Sequence, residues 1–141
     1  MKIQIVNCIN FTNKTKLISE KRRGASCVQT FSDGSKKEFF YDKLEKETMP
    51  DGSYKMYYVS GKLSCERFSN GFERGYDGMG RLAYETYPDG SSISWHRSSG
   101  KICMKKNSDG SSQLFNGDGT LFVERDKTGK IIYQSENDYY E

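Results

Sequence analysis

The chain has 141 residues, 34% hydrophobic and 29% charged, which suits one domain but is too poor in apolar side chains for a thick two-layer core. Ten Tyr, eight Phe and one Trp argue against disorder, and a net charge of +3 is too small to argue for nucleic acid. Fourteen Gly against two Pro, with many Tyr, Phe, Ser and Thr, point to short strands and tight turns.

Residues 1–23 look irregular and are expected to cap the first edge of a sheet, with a starting strand or pair around Ile3, Ile5, Val6, Ile9 and Phe11 and a turn near Asn13-Lys14. No secretion signal or membrane-length apolar stretch is read here, so a cytoplasmic protein is expected. Cys8, Cys27, Cys65 and Cys103 stand singly, as reduced thiols packed in strands rather than zinc or redox pairs. The first 40 residues hold eight Lys or Arg against three acids. The one basic run, Lys21-Arg22-Arg23 near Lys14 and Lys16, reads as a solvated turn, with a phosphate or acidic-partner contact as the alternative.

From Gly24 a ladder begins: Gly24, Gly34, Gly52, Gly61, Gly71, Gly80, Gly90, Gly100, Gly110, Gly119 and Gly129. The steps are nine or ten residues, apart from the eighteen between Gly34 and Gly52, where Tyr41-Asp42-Lys43 stands in for a glycine turn. Only Gly75, Gly78 and Gly117 lie off the ladder. Two kinds of rung alternate. One is Asp/Asn-Gly, as in Asp89-Gly90, which is expected to supply the positive φ angles of a tight hairpin turn. The other is mostly Gly-Lys/Arg-aliphatic, as in Gly80-Arg81-Leu82. The unit is therefore about 19 residues of strand, turn, strand, turn. Leu44-Glu45-Lys46-Glu47 has helix-friendly residues but sits where a strand is due, and no helix is expected.

Side chains keep step with the turns. Five residues after each Asp/Asn-Gly glycine comes an aromatic: Phe39, Tyr57, Tyr76, Trp95, Phe115. Two and four residues after the other glycines come Leu63/Cys65, Leu82/Tyr84, Ile102/Met104, Leu121/Val123 and Ile131/Tyr133, a spacing that places each pair on one face. The expected fold is all-β: tandem β-hairpin repeats over 24–133 in one 1–141 domain, forming one elongated, twisted antiparallel meander sheet of about ten to twelve strands. Residues 134–141 form an acidic, aromatic tail.

No catalytic constellation, cofactor site or metal site is expected, and the chain reads as a non-enzyme. His96 is the lone histidine, without a ligand-spaced partner, and reads as a surface residue. If the sheet is a single layer, its aromatic ridge has the composition of a protein-binding hot spot. The candidate partner-binding residues are Tyr57, Tyr76, Trp95, Phe115, Tyr84, His96, Arg97, Tyr139 and Tyr140.

Tyr76-Asp77-x-x-Gly80-Arg81-Leu82, followed by Tyr87-Pro88-Asp89-Gly90, resembles the YD repeat of RHS proteins. Met56-Tyr57-Tyr58-x-Ser60-Gly61-Lys62-Leu63-x-x-Glu66, followed by Ser69-Asn70-Gly71, resembles the MORN-variant repeats of bacterial antitoxin components. Other units depart from these patterns: Arg97-Ser98-Ser99-Gly100 lacks Tyr-Asp, and Gly119-Thr120-Leu121 lacks the Arg. Both resemblances imply tandem hairpins. Together they imply a stand-alone bacterial antitoxin or immunity protein whose partner is a cognate toxin. The weak net charge and the lack of a Lys/Arg stripe across the repeats give no expectation of a nucleic-acid or membrane partner. The alternatives are a carbohydrate-binding module and a structural repeat fragment of an RHS-like shell.

Overall fold

The computed structural model describes residues 15–136. They are all-β, with thirteen strands and no helix among the described residues, one strand more than the upper expectation. The chain divides into two compact units, residues 1–63 and 64–141. The first holds β1 (Leu17–Arg23), β2 (Ser26–Phe31), β3 (Lys36–Phe40), β4 (Lys43–Thr48) and β5 (Tyr54–Tyr57). The second holds β6 (Leu63–Arg67, from Ser64 on), β7 (Glu73–Tyr76), β8 (Leu82–Thr86), β9 (Ser92–Trp95), β10 (Ile102–Lys106), β11 (Ser112–Phe115), β12 (Leu121–Arg125) and β13 (Ile131–Gln134). Within each unit the strands form an antiparallel meander in chain order, with no crossover. β1 lies in the N-terminal stretch and its ladder with β2 skips Ile18, while β4 occupies the helix-friendly Leu44–Glu47 stretch. The expected N-terminal strand before Asn13 lies outside the described residues.

One turn serves both kinds of rung. At the first, the Gly34 N–H donates to the Phe31 carbonyl at 3.0 Å and the Phe31 N–H donates to the Ser35 carbonyl at 2.9 Å. The same pair of bonds recurs at Tyr58/Gly61/Lys62, Asp77/Gly80/Arg81 and Asn116/Gly119/Thr120. This is a three-residue loop: a type I turn followed by a left-handed residue. Only the last position needs a positive φ, and glycine takes it, at +90° for Gly34. The expectation that Asp also supplies a positive φ is thereby corrected. Asp acts through its carboxylate instead. Asp33 Oδ1 accepts the Ser35 N–H at 2.8 Å and the Ser35 hydroxyl at 2.6 Å, and Asp51, Asp89 and Asp109 repeat both bonds with their own serines.

Asp77 caps its turn with an arginine side chain as well as backbone N–H groups. Its Oδ1 accepts the N–H groups of Met79 and Arg81 at 2.9 and 3.0 Å, and its Oδ2 accepts Arg81 Nε–H at 2.8 Å. These three bonds explain why Tyr-Asp-x-x-Gly-Arg is the best-preserved unit: Asp and Arg hold the two ends of one loop.

The paired aliphatic columns do not share a face. Tyr76 lies opposite Leu82, but Gly75 lies opposite Tyr84, so Ala83 is bulged out of the ladder. Glu45, Cys103, Phe122 and Ile132 are skipped in the same way. Ala83, Cys103, Phe122 and Ile132 each directly follow the first aliphatic of a pair, and Glu45 follows Leu44. Residues directly opposite share a face and neighbours along a strand alternate. Leu82 therefore joins Tyr76, and Tyr84 goes to the other face. The spacing of two misleads because it assumes an unbroken strand.

The core is thin. Among the described residues, Cys27 and Val123 are the only buried hydrophobics, no large side chain is fully buried, and no second layer packs on either meander. Stabilisation comes from ladders of cross-strand pairs instead. In the first unit Lys37 opposes Glu47, which opposes Lys55; in the second Glu66 opposes Arg74, which opposes Glu85.

Candidate functional site

The aromatic positions form faces within the units. On β7, Arg74 and Tyr76 share a face; Arg74 opposes Glu85, Glu85 opposes Ile93, and Ile93 shares its face with Trp95. The chain of pairs continues through Lys105 and Gln113 to Phe115. Tyr76, Trp95 and Phe115 thus lie on one face of the second unit. By the same steps Phe39 and Tyr57 share a face of the first. All five rings are half-buried.

Two of these rings are anchored by the same bond one repeat apart. The Tyr57 hydroxyl donates to Glu47 Oε1 at 2.7 Å, and the Tyr76 hydroxyl donates to Glu66 Oε1 at 2.9 Å. Burial, and then the Glu66 carboxylate, push the Tyr76 hydroxyl above its ordinary pKa. Arg74 lies 4.0 Å from both Glu66 and Glu85, with its guanidinium over the Phe72 ring at 5.3 Å.

The other candidates scatter. Tyr84 lies on the opposite face from Tyr76 and donates to Glu73 Oε1 at 2.8 Å. His96 opens the turn to Gly100, and its ring Nε2–H donates to the Phe115 carbonyl at 2.8 Å, so the histidine read as a surface residue is half-buried and ties one hairpin to the next. That turn has one residue more than its counterparts, because Gly100 bonds back to His96 across four residues. Arg97 is exposed within it. Tyr139 and Tyr140 lie outside the described residues. No helix among the described residues is long and apolar enough to cross a membrane, and none of their His, Cys, Asp and Glu side chains cluster to hold a metal.

A site absent from the sequence reading sits on the turn edge of the first unit. Phe40 pairs directly with Lys43, leaving a two-residue turn in which Tyr41 and Asp42 have φ of +49° and +62°. These are the two non-glycine residues with positive φ among the described residues. Asp tolerates this conformation; for a bulky Tyr it is an outlier costing on the order of 1 kcal/mol or more. The sequence signal was visible as the missing glycine, but not what the turn displays. Tyr41 is 73% exposed and Val59 78%. Between them runs a groove of about 240 Å³, lined by Phe40, Leu44, Tyr57 and Tyr58. Lys43 Nζ reaches the Val59 carbonyl at 3.4 Å across it.

No protein-family model matches the sequence, and no curated protein is similar to it. Among solved structures, the chain is similar to the G-box domain of the microcephaly protein CPAP, at 23% identity over 79% of this chain and 77% of that one, with a TM-score of 0.39. It is also similar to the TCP10 domain of Danio rerio CPAP in complex with a peptide of Danio rerio STIL, at 19% identity over 84% of this chain and 99% of that one, with a TM-score of 0.23.

Proposed function

We propose that the chain is a non-enzymatic protein-binding module, and more specifically an immunity protein or antitoxin that occludes a toxin domain. The observation that carries the binding reading is the thin core: large rings are spread over sheet faces on which no second layer packs among the described residues. Rigid Tyr and Trp rings standing half-exposed on a scaffold are the side chains that anchor protein interfaces at low entropic cost. The antitoxin reading rests on the resemblance of residues 56–90 to repeats of that kind.

The test is co-expression in bacteria with the product of the adjacent gene. Rescue of growth from a toxic product, together with a stoichiometric complex on size exclusion, is the expected result. A neighbour that is harmless, or toxic but neither bound nor neutralised, removes the antitoxin reading.

A further inference from the structure

We propose that the turn edge of the first unit, from Arg22 through Tyr41 to Lys62, docks an acidic, extended protein segment that carries one apolar anchor residue. This deepens the protein-binding reading and rests on it. Three features converge. The first is conformational. Every other turn of this edge spends a glycine on its left-handed position, whereas here Tyr41 and Asp42 both adopt it. An Asn-Gly pair would make the same two-residue turn without strain. Packing does not account for Tyr41, since its ring is 73% exposed and its ring contact is the edge of Phe40 at 4.7 Å. Strain kept where packing does not need it points to use.

The second is shape. The Tyr41 ring is a ridge between two depressions. On one side is the groove walled by Leu44, Tyr58 and Val59. On the other is a shallow hollow bounded by Arg22, Gly24, Ala25 and Asp42. A segment crossing the ridge sets an apolar side chain into the first and its polar flank over the second.

The third is charge. Arg22 lies 3.6 Å from Asp42 and 3.7 Å from Glu20, so that cluster holds one carboxylate in excess. Arg23 and Lys62 make no ion pair among the described residues, and Lys43 contacts a carbonyl only. Against these three cations stand Glu45 and the surplus carboxylate at Arg22, which leaves one net positive charge on the edge. The excess suits an acidic partner. Aliphatic walls at Leu44 and Val59, and carboxylates at Asp42 and Glu45, suit a protein segment better than a nucleic-acid backbone.

The experiment is panning of a phage-displayed random peptide library on the full-length protein, followed by fluorescence anisotropy with the best peptide. The control is Tyr41→Asn with Asp42→Gly, which keeps the turn. Enrichment of acidic peptides with a Leu or aromatic anchor is expected. Affinity should fall about tenfold or more in the double variant, whose melting temperature is unchanged or raised, and should also fall with added salt. Basic consensus peptides, undiminished binding to the double variant, or tighter binding of a single-stranded oligonucleotide would overturn the proposal. Peptide binding that ignores the double variant but is lost in a folded Trp95→Ala moves the interface to the second unit and leaves the protein-binding reading standing. No enrichment at all removes both.

Discussion

The ring of Tyr84 lies across the α-carbon of Gly75: a methyl group added there would collide with Tyr84 Cε1. The glycine stands off the turn ladder because its missing side chain is the seat for that ring, whose hydroxyl reaches on to Glu73 at 2.8 Å. An aromatic laid over a strand glycine recovers burial that the glycine forgoes. Gly75→Ala is expected to destabilise by about 1–3 kcal/mol in urea titration. Most of that penalty should vanish in a Tyr84→Ala background. Equal effects in both backgrounds would show that the ring does not depend on the gap.

The turn aspartates set an acid limit. Asp33, Asp51, Asp89, Asp109, Asp118 and Asp126 are held below their ordinary value of 3.8, first by the Ser or Thr hydroxyl two residues on; Asp77 is lowered first by the Arg81 N–H. A carboxylate with a lowered folded-state pKa contributes stability that is complete above its unfolded value and is lost as pH falls through the folded one. Melting temperature should therefore hold at neutral pH and decline once pH drops below 3.8. Asp77→Asn should lower it at neutral pH more than Asp89→Asn, because the Asp77 carboxylate alone among these also holds an arginine. A flat profile well into the acid range contradicts this account.

Thiol accessibility should separate the cysteines. Cys27 is 4% exposed, and burial, its largest perturbation, pushes its thiol upward. Cys65 and Cys103 are half-buried thiols. Alkylation followed by mass spectrometry should label those two before Cys27, which should appear only in denaturant. Early labelling of Cys27 would mean that β2 opens locally.

The bulges predict an asymmetry between deletions. Removing Ala83 takes out the residue that the ladder skips, so Leu82 still meets Tyr76 and Tyr84 still meets Gly75. Removing Glu85, two positions on, moves the end of β8 to the wrong face. Circular dichroism should show a native-like strand signal and an unchanged melting curve for the first deletion, and a partial loss of strand signal for the second.

Much of this was legible in the sequence, and for stated reasons. Gly34 and its fellows mark turns because their φ values admit few other residues, and the ring at a fixed offset follows from the turn. Phe39 with Tyr57, and Tyr76 with Trp95 and Phe115, do lie on common faces. The bulge was not legible: Leu82 and Tyr84 carry no mark that the chain between them is kinked. Nor was the groove at Tyr41. Its wall at Val59 arrives from a turn 18 residues further along, and only the stacking of successive turns on one edge brings them together. His96 misled for the same reason, since its partner, the Phe115 carbonyl, is 19 residues away and belongs to the backbone.

The turns stack at repeat distance. Gly71 rests against Pro88, Lys101 donates to the Asp118 carbonyl, and within the second unit the strands in contact among the described residues are consecutive. Each hairpin is thus answerable to its immediate neighbours only. Damage in one hairpin of the second unit has no direct route to a hairpin two places away, so melting there behaves like the opening of a zip rather than the collapse of a globule. Proteolytic nicking or a lost repeat shortens such a structure without abolishing what remains.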